Sequence, residues 1–214
     1  MKTDKYIIWD WNGTLLDDVD ICISCMNEML RKREIAKINR SRYREIFTFP
    51  VINYYKKLGF DFAKEPFANL SVEYINLYRE QSLKANLHND VITTLNSVKS
   101  NNYSQIILSA MEKNALEVQV CENKIRHYFN EVIGLDNIHA KSKIDNGRQF
   151  LKRMSISPED CIVVGDTYHD YEVAKELGCE CVLINKGHQN LQEITFDAKV
   201  TILDDILEIT DLQL

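Results

Sequence analysis

Long apolar runs, repeats and low-complexity segments are all missing from this chain of 214 residues. No stretch approaches the roughly 20 apolar residues that a membrane-spanning helix needs, so we expect no membrane partner. Charged residues interrupt the start of the chain at Lys2, Asp4 and Lys5, which is not typical of a secretory signal. We therefore expect a soluble, cytoplasmic protein with one good core, or with one core and an inserted domain.

An excess of positive charge is also missing. The 32 acidic residues outnumber the 26 lysines and arginines, the net charge is −6, and basic residues cluster only in short runs such as residues 31–33. Because a nucleic-acid-binding protein needs a basic face, we expect no nucleic acid partner. The composition is compatible with a monomer or a homodimer.

The six cysteines are not expected to form disulfides, because a chain of this size without a secretory signal belongs in a reducing compartment. Cys22 and Cys25 have the spacing of a CxxC motif, but their apolar neighbours predict a helix. We expect both to be small buried hydrophobic residues rather than part of a zinc or redox site.

The sequence shows two patterns of predicted secondary structure. A short apolar run before Asp10 predicts a buried strand. Between residues 17 and 87, apolar residues recur at three- and four-residue steps, which predicts several helices. From residue 89 onward, predicted helices alternate with predicted strands. These strands cover residues 105–109, 131–134, 161–165 and 181–184, and a weak strand–helix pair fills residues 198–209.

Strands that alternate with helices predict a doubly wound parallel sheet, so we expect an α/β fold with a Rossmann-like core. The helical stretch interrupts this pattern after the first strand and is too long for a surface loop. We therefore expect a core domain of residues 1–16 and 88–214, with an α-helical cap domain of residues 17–87 inserted into it. The two junctions would act as hinges.

Polar residues lie at the predicted strand ends and at one predicted helix start. In a parallel sheet the carboxyl ends of the strands share one edge, where open α/β sheets bind their ligands. We therefore expect side chains that are remote in sequence to converge there. The residues concerned are Asp10, Ser109, Lys141 or Lys143, Asp166 and Asp170.

Three carboxylates at one edge concentrate negative charge and require a cation, and a set of oxygen ligands favours Mg²⁺. A metal ion, a lysine and a hydroxyl can together hold a phosphoryl group, because the cations offset its charge and the hydroxyl donates a hydrogen bond. Asp10 could then act as the nucleophile and form an aspartyl-phosphate that water cleaves. The sequence thus indicates a magnesium-dependent site for a small phosphorylated metabolite.

These motifs resemble those of the haloacid dehalogenase-like (HAD) hydrolases in order and spacing, over essentially the whole chain. The stretch WDWNGTL at residues 9–15 resembles the first motif, and Ser109 the second. The region of Lys141 and Lys143 resembles the third motif, and Gly165-Asp166 with Asp170 the fourth. The inserted helical segment resembles the cap of the phosphoglycolate phosphatase-like branch.

The resemblance implies a role for each matching residue. Asp10 would be the nucleophile and a ligand of Mg²⁺, and Asn12 would offer the metal its main-chain carbonyl oxygen. Asp166 would bind the metal, and Asp170 would support it directly or through water. Ser109 and the lysine would hold phosphate oxygens. The implied substrate-binding set is Gly13, Thr14, Ser109 and Ala110.

The phosphate-binding lysine has two candidates. Lys141 stands where the family usually has Lys-Pro, counted back from residues 157–160. Ser142 could instead cap a helix that begins at Lys143, which would direct the Lys143 side chain at the site. We favour Lys143 and leave Lys141 open.

Asn12 departs from the family pattern. Family phosphatases usually carry a second aspartate at this position, which protonates the leaving oxygen and then activates water. Asparagine can donate a hydrogen bond but cannot shuttle a proton. Acid–base help is worth about a hundredfold to ten-thousandfold in rate. Its loss would matter most for alkyl phosphates and least for acyl phosphates and phosphoanhydrides, whose leaving groups are already stable.

Three hypotheses follow from this departure. The first is a magnesium-dependent phosphohydrolase with a restricted substrate range, in which His169 is the nearest candidate for another acid. The second is a phosphonatase-like hydrolase, which cleaves a carbon–phosphorus bond with the help of a cap lysine. The third is a module that binds a phosphorylated ligand with little or no catalysis.

Overall fold

A parallel sheet of six strands, in the order β5-β4-β1-β6-β7-β8, forms the centre of the fold. The computed structural model describes residues 5–135, 142–198 and 200–212. In chain order the strands are β1 (Lys5–Trp9), β2 (Leu16–Asp17), β3 (Asn86–Leu87), β4 (Tyr103–Glu112), β5 (Glu131–Leu135), β6 (Cys161–Gly165), β7 (Glu180–Ile184) and β8 (Thr201–Leu203). The helices are α1 (Val19–Lys32), α2 (Arg40–Ile46), α3 (Val51–Leu58), α4 (Phe67–Ser82), α5 (Val91–Ser100), α6 (Lys113–Glu122), α7 (Lys143–Met154) and α8 (Tyr168–Leu177).

The central strands are mostly apolar because helices cover both faces of the sheet. Neighbouring residues of a strand point to opposite faces. Accordingly, Ile7 and Trp9 of β1 pack in a core with α5 and α6, whereas Ile8 packs in a second core with α7 and α8. A sheet buried on both sides is typical of parallel α/β proteins, and the predicted α/β class is confirmed.

Helices α1 to α4 lie between β2 and β3 and share a third core, to which Met26, Tyr43, Tyr54 and Leu70 contribute. Strands β2 and β3 pair antiparallel, Leu16 with Leu87, so the chain leaves the sheet and returns to it at neighbouring positions. A separate core and two neighbouring chain crossings are the features expected of a cap domain inserted at residues 17–87. The division into two domains stays a prediction.

Several predicted boundaries differ from the structure. The sequence pattern predicts helices at about residues 113–122 and 143–154, and α6 and α7 have these bounds. Strand β4, however, runs on to Glu112, so Ser109 does not end its strand as predicted. The sequence pattern predicts a helix at residues 170–177, but helix α8 begins two residues earlier, at Tyr168. The reason is a capping box, in which Thr167 and Asp170 bind each other's backbone and place Asp170 in the first turn.

The cysteine prediction agrees with the structure in one respect. Cys22 and Cys25 are both buried on α1, and their thiols are free. Within the described ranges, no helix combines the length and the apolar character that crossing a membrane requires.

Candidate active site

The carboxylates of Asp10, Asp166 and Asp170 meet at the carboxyl edge of β1 and β6. Asp10 directly follows β1, Asp166 directly follows β6, and Asp170 lies in the first turn of α8. One ligand oxygen of each lies within 4.8 Å of the others, and all three residues are buried. Buried like charges repel each other and lose their hydration, so this cluster requires positive charge.

Lys143 supplies part of that charge. Its Nζ atom lies 2.5 Å from Oδ1 of Asp10 and 2.6 Å from Oδ1 of Asp170. Burial alone would lower the pKa of Lys143, but the two carboxylates raise it above its ordinary value, and the lysine stays charged. Ser142 caps α7 through a capping box and thereby fixes the helix start that presents Lys143 to the cluster.

One lysine does not neutralise three carboxylates. Burial, together with repulsion by Asp170, raises the pKa of Asp10 to about 6 although Lys143 opposes the shift. Burial and the neighbouring carboxylates also raise the pKa of Asp166 to about 7, although His188 opposes the shift. By contrast, Lys143 holds the pKa of Asp170 below its ordinary value against the effect of burial. A crowded, oxygen-only donor set with surplus negative charge fits a hard divalent cation.

Asp166 is held by the loop that follows β1 and by the loop that follows β7. The Thr14 hydroxyl donates to Oδ1 of Asp166 over 3.0 Å, and the backbone N–H of His188 donates to Oδ2 over 2.6 Å. Gly13 has φ +76°, and a Cβ added there would lie 2.4 Å from Oδ2 of Asp166. Only glycine fits at this position. Gly13 and Thr14 thus contact a carboxylate of the cluster, and their part in substrate binding stays a prediction.

Ser109 lies beside Asp10 at the same edge. Strand β4 pairs with β1 in the register Ile107 with Trp9, so Ser109 is two residues and Asp10 one residue beyond this pair. Ser109 is buried, and its hydroxyl oxygen accepts a hydrogen bond from the N–H of Met111 over 3.1 Å. Ala110 is exposed on the next position of the strand.

The Asn12 side chain binds Asp18 and Tyr78, neither of which belongs to the carboxylate cluster. Its amide donates to Oδ2 of Asp18 over 2.8 Å and to the Tyr78 hydroxyl over 2.6 Å. Asp18 also accepts a hydrogen bond from the N–H of Gly13, and its Oδ1 lies 3.4 Å from Nε2 of His188. Position 12 therefore belongs to a second buried polar network next to the first.

His188 and Asp18 form the charged centre of this second network. Burial alone would lower the pKa of His188, but Asp18 raises it to about 9. His188 in turn keeps the pKa of Asp18 below its ordinary value, against the effect of burial. The other ring nitrogen, Nδ1, is 2.8 Å from the hydroxyl of Tyr43 on α2. A charged histidine thus joins the strand-end loop to the helical segment.

Two sequence candidates remain, His169 and Lys141. His169 pairs with Glu172 over 3.1 Å, and its ring packs against Phe49 with centroids 4.9 Å apart. Lys141 lies outside the described residues. The sequence argument missed Asp18 and His188. The only signal for them was their position, directly after the first motif and in the loop after the strand predicted at 181–184.

The model of the family described as haloacid dehalogenase-like hydrolase matches residues 7–184. Phosphoglycolate phosphatase 1 from Pseudomonas aeruginosa is 22% identical over 217 residues, which cover 97% of this chain and 79% of that protein. Pyrophosphatase PpaX from Bacillus velezensis is 25% identical over 234 residues, covering 99% of this chain and 100% of that protein.

Solved structures share the fold over nearly the full length. A haloacid dehalogenase-like hydrolase from Streptococcus pneumoniae superposes with a TM-score of 0.82 at 20% identity, covering 99% of both chains. A mutant of CbbY from Rhodobacter sphaeroides, in complex with xylulose-(1,5)bisphosphate, has a TM-score of 0.72 at 17% identity, covering 96% of both chains.

Proposed function

The chain belongs to the haloacid dehalogenase-like hydrolases and is a phosphohydrolase, and we propose that it cleaves small phosphorylated metabolites with Mg²⁺ through a phosphoryl group carried on Asp10. The observation that carries the proposal is the convergence of Asp10, Asp166 and Asp170, with the ammonium group of Lys143 bound to Asp10 and Asp170. Three oxygen donors and one buried cation suit a phosphoryl group and a hard metal ion together.

The residues that would hold Mg²⁺ are Asp10, Asp166 and the main-chain carbonyl of Asn12, with Asp170 in support. Bound Mg²⁺ would offset negative charge on the phosphoryl oxygens and keep Asp10 ionised. Burial raises the pKa values of Asp10 and Asp166, because ionised carboxylates are unfavourable there. A bound divalent cation would stabilise the ionised forms.

The chain's own groups account for the transfer step. Lys143 binds Oδ1 of Asp10, so we assign the attack on phosphorus to Oδ2. The Asp10–phosphorus bond forms as the bond to the leaving oxygen breaks, and water then attacks phosphorus and regenerates Asp10. Lys143 and the Ser109 hydroxyl would hold the phosphoryl oxygens during both steps.

The leaving group sets the substrate class. Asn12 cannot donate a proton to it, and its amide hydrogens are directed to Asp18 and Tyr78. We therefore propose acyl phosphates or phosphoanhydrides, whose leaving groups depart as stable anions. One relative is named a pyrophosphatase, which fits this class because pyrophosphate is a phosphoanhydride.

The other two hypotheses have less support. Lys32, a helical-segment lysine that a phosphonatase-like mechanism could use, pairs with Glu28 and Glu73 at the surface. No structural observation favours a ligand-binding module without catalysis. The substitution Asp10→Asn distinguishes such a module from an enzyme.

The test is phosphate release from acetyl phosphate, pyrophosphate and phosphoglycolate, measured with Mg²⁺ and with EDTA. We expect Mg²⁺-dependent release from the first two and slow release from the alkyl phosphate. Asp10→Asn should abolish release while leaving the fold intact by circular dichroism. Release that persists in Asp10→Asn would overturn the proposal, and no release from any substrate by the unmodified chain would favour the binding module.

A further inference from the structure

A cavity of about 380 Å³ lies between α2 and the ends of β7 and β8. Arg40 and Arg44 line it from α2, Lys186 from the loop after β7, and Asp205 from the loop after β8. Its volume is in the range of small-molecule sites, which are roughly 300–1,000 Å³. It is large enough for a small metabolite.

This cavity is distinct from the carboxylate cluster. In the sheet order, Asp10 and Asp166 directly follow β1 and β6, and Ser109 lies on β4, whereas the cavity lies toward the β8 edge. Among the described residues that line it, none is a carboxylate of the cluster, Ser109 or Lys143. Thr14 is the link, because it lines the cavity and also donates to Asp166.

Arg44 brings a positive charge that lacks a carboxylate partner within the described part of the chain. Its Nη2 donates to three uncharged oxygens, at 3.0 and 2.9 Å on Asn185 and at 2.8 Å on Gln189. Its Nε is buried and has no hydrogen-bond partner among the described residues. Burial, and then repulsion by Arg40, lowers the pKa of Arg44. An arginine in this state would be stabilised by an anion.

Two further cations at the cavity already have a carboxylate partner, an exposed one for Arg40 and a half-buried one for Lys186. Arg40 pairs with Asp20 over 2.9 Å, and the Asp20 side chain is 78% exposed. Lys186 pairs with Asp205, and the lysine is about half exposed. The exposed pair of Arg40 with Asp20 contributes little, so Arg40 can turn to an anion at small cost, and the half-exposed Lys186 can bind an anion beside Asp205.

The lining therefore has a positive surplus in an acidic chain. Arg40, Arg44 and Lys186 face two carboxylates, Asp17 and Asp205, whereas the chain as a whole carries a net charge of −6. Two guanidinium groups can each make paired hydrogen bonds to phosphate oxygens, and an ammonium group can offset the remaining negative charge of the phosphate.

We propose that this cavity binds the phosphate group of a small metabolite, or inorganic phosphate itself, at a site separate from the catalytic centre. The anion lies between α2 and the loop after β7. It bridges Arg40 and Arg44 to Lys186, and so strengthens the contact that Arg44 already makes with Asn185 and Gln189. The proposal does not depend on Asp10 chemistry.

The test is isothermal titration of inorganic phosphate in EDTA, where Mg²⁺-dependent turnover is absent. Arg40→Gln and Lys186→Gln should each weaken binding by about tenfold or more, since each removes a charge-assisted hydrogen bond. Arg42→Gln is the matched control. Arg42 lies on the same helix, pairs with Glu45 over 2.7 Å and does not line the cavity, so its substitution should leave the affinity unchanged.

Two further titrations identify the site and its occupant. Ser109→Ala should not weaken phosphate binding in EDTA, because Ser109 belongs to the catalytic centre. A titration with 3-phosphoglycerate separates the two sources of phosphate, and tighter binding of this compound would identify a metabolite as the occupant. The proposal fails if Arg40→Gln and Lys186→Gln bind phosphate as the unmodified chain does, or if Ser109→Ala alone removes binding. Neither failure would affect the proposed hydrolysis, which is measured with Mg²⁺.

Discussion

The amide of Asn12 donates a hydrogen bond to the Asp18 carboxylate over 2.8 Å, and both groups lie beside the carboxylate cluster. The Tyr78 hydroxyl donates to the same oxygen of Asp18 over 2.6 Å. Asn12 therefore does more than replace an acid, because its amide is a hydrogen-bond donor to the buried carboxylate of Asp18. An aspartate at position 12 would meet Asp18 directly.

The first prediction concerns this pair. Asn12→Asp alone would place two carboxylates at hydrogen-bond distance, where both cannot stay ionised. We expect it to lower the free energy of unfolding by about 1–3 kcal/mol. The exchange Asn12→Asp with Asp18→Asn keeps one carboxylate and one amide. We expect this double variant to turn over phosphoglycolate about a hundredfold faster than the unmodified chain, since it restores an acid at position 12.

Urea unfolding and the kcat/KM for phosphoglycolate measure both effects, with Asp18→Asn alone as the control. A single Asn12→Asp variant that is fully stable and fast would contradict the expected clash. No gain in the double variant would mean that another group supplies the proton.

The second prediction separates the two lysine candidates. Lys143→Met leaves Asp10 and Asp170 buried without their cation, and we expect a loss of about 3–5 kcal/mol in the free energy of unfolding. Lys141→Met should cost less in both stability and turnover. Thermal unfolding and phosphate release measure the difference. A larger effect on turnover from Lys141→Met would assign the phosphate to Lys141.

The third prediction concerns the metal. Mg²⁺ at a hundred times its dissociation constant should raise the free energy of unfolding by about 2.7 kcal/mol, because it binds only the folded cluster. Asp166→Asn should remove this stabilisation. Asp204→Asn, at an exposed position, should keep it. The comparison is made by urea unfolding in Mg²⁺ and in EDTA, and equal stabilisation of both variants would rule out Asp166 as a ligand.

The fourth prediction concerns pH and His88. Burial lowers the pKa of His88 below its ordinary value of 6.5, and Lys186 adds to the shift, whereas Asp17 and Asp18 oppose it. The unfolded chain therefore takes up this proton at a higher pH than the folded chain. The stability that His88 contributes is complete above its ordinary pKa and is lost as the pH falls through that value.

We expect the free energy of unfolding to fall more steeply between about pH 8 and about pH 5 in the unmodified chain than in His88→Gln, which keeps a hydrogen-bond donor. His127→Gln, at an exposed position, is the control and should follow the unmodified chain. Urea unfolding at a series of pH values gives the slopes. Equal slopes for His88→Gln and the unmodified chain would contradict the prediction.

The fifth prediction tests the division into two domains. Leu70 is fully buried among α1 to α4, and Leu70→Ala should cost about 2–5 kcal/mol there. Hydrogen exchange should speed up for amides of residues 19–82 and stay slow in β1, β4 and β6. Val72→Ala lies on the same helix but is exposed, and it should change little. Equal loss of protection in the sheet would mean that the two parts unfold as one.

Much of the fold follows from local sequence patterns. Apolar runs marked the central strands, and three- and four-residue periodicity marked the helices, because both depend on which residues of one element face the core. The convergence of Asp10, Lys143, Asp166 and Asp170 also follows, since parallel strands end at a common edge. Their chemical roles stay predictions.

The second polar network could not be predicted in the same way. Asp18, Tyr78 and His188 meet because α4 and the loop after β7 pack against the first motif. That contact depends on tertiary packing between segments far apart in sequence, and periodicity carries no information about it. The extension of β4 past Ser109 and the early start of α8 have similar causes, in strand pairing and in a cap.

The short ribbon formed by β2 and β3 has an evolutionary consequence. Leu16 pairs with Leu87 and Asp17 with Asn86, so the segment between them begins and ends about 4.8 Å apart, the ordinary spacing of paired strands. A run of residues whose two ends meet this requirement can take its place without disturbing the register of β1 with β4 and β6, provided that it also supplies partners for His188, which contacts Asp18 and Tyr43 of this segment. During evolution the helical segment can therefore change while the strands that position Asp10 and Asp166 keep their pairing.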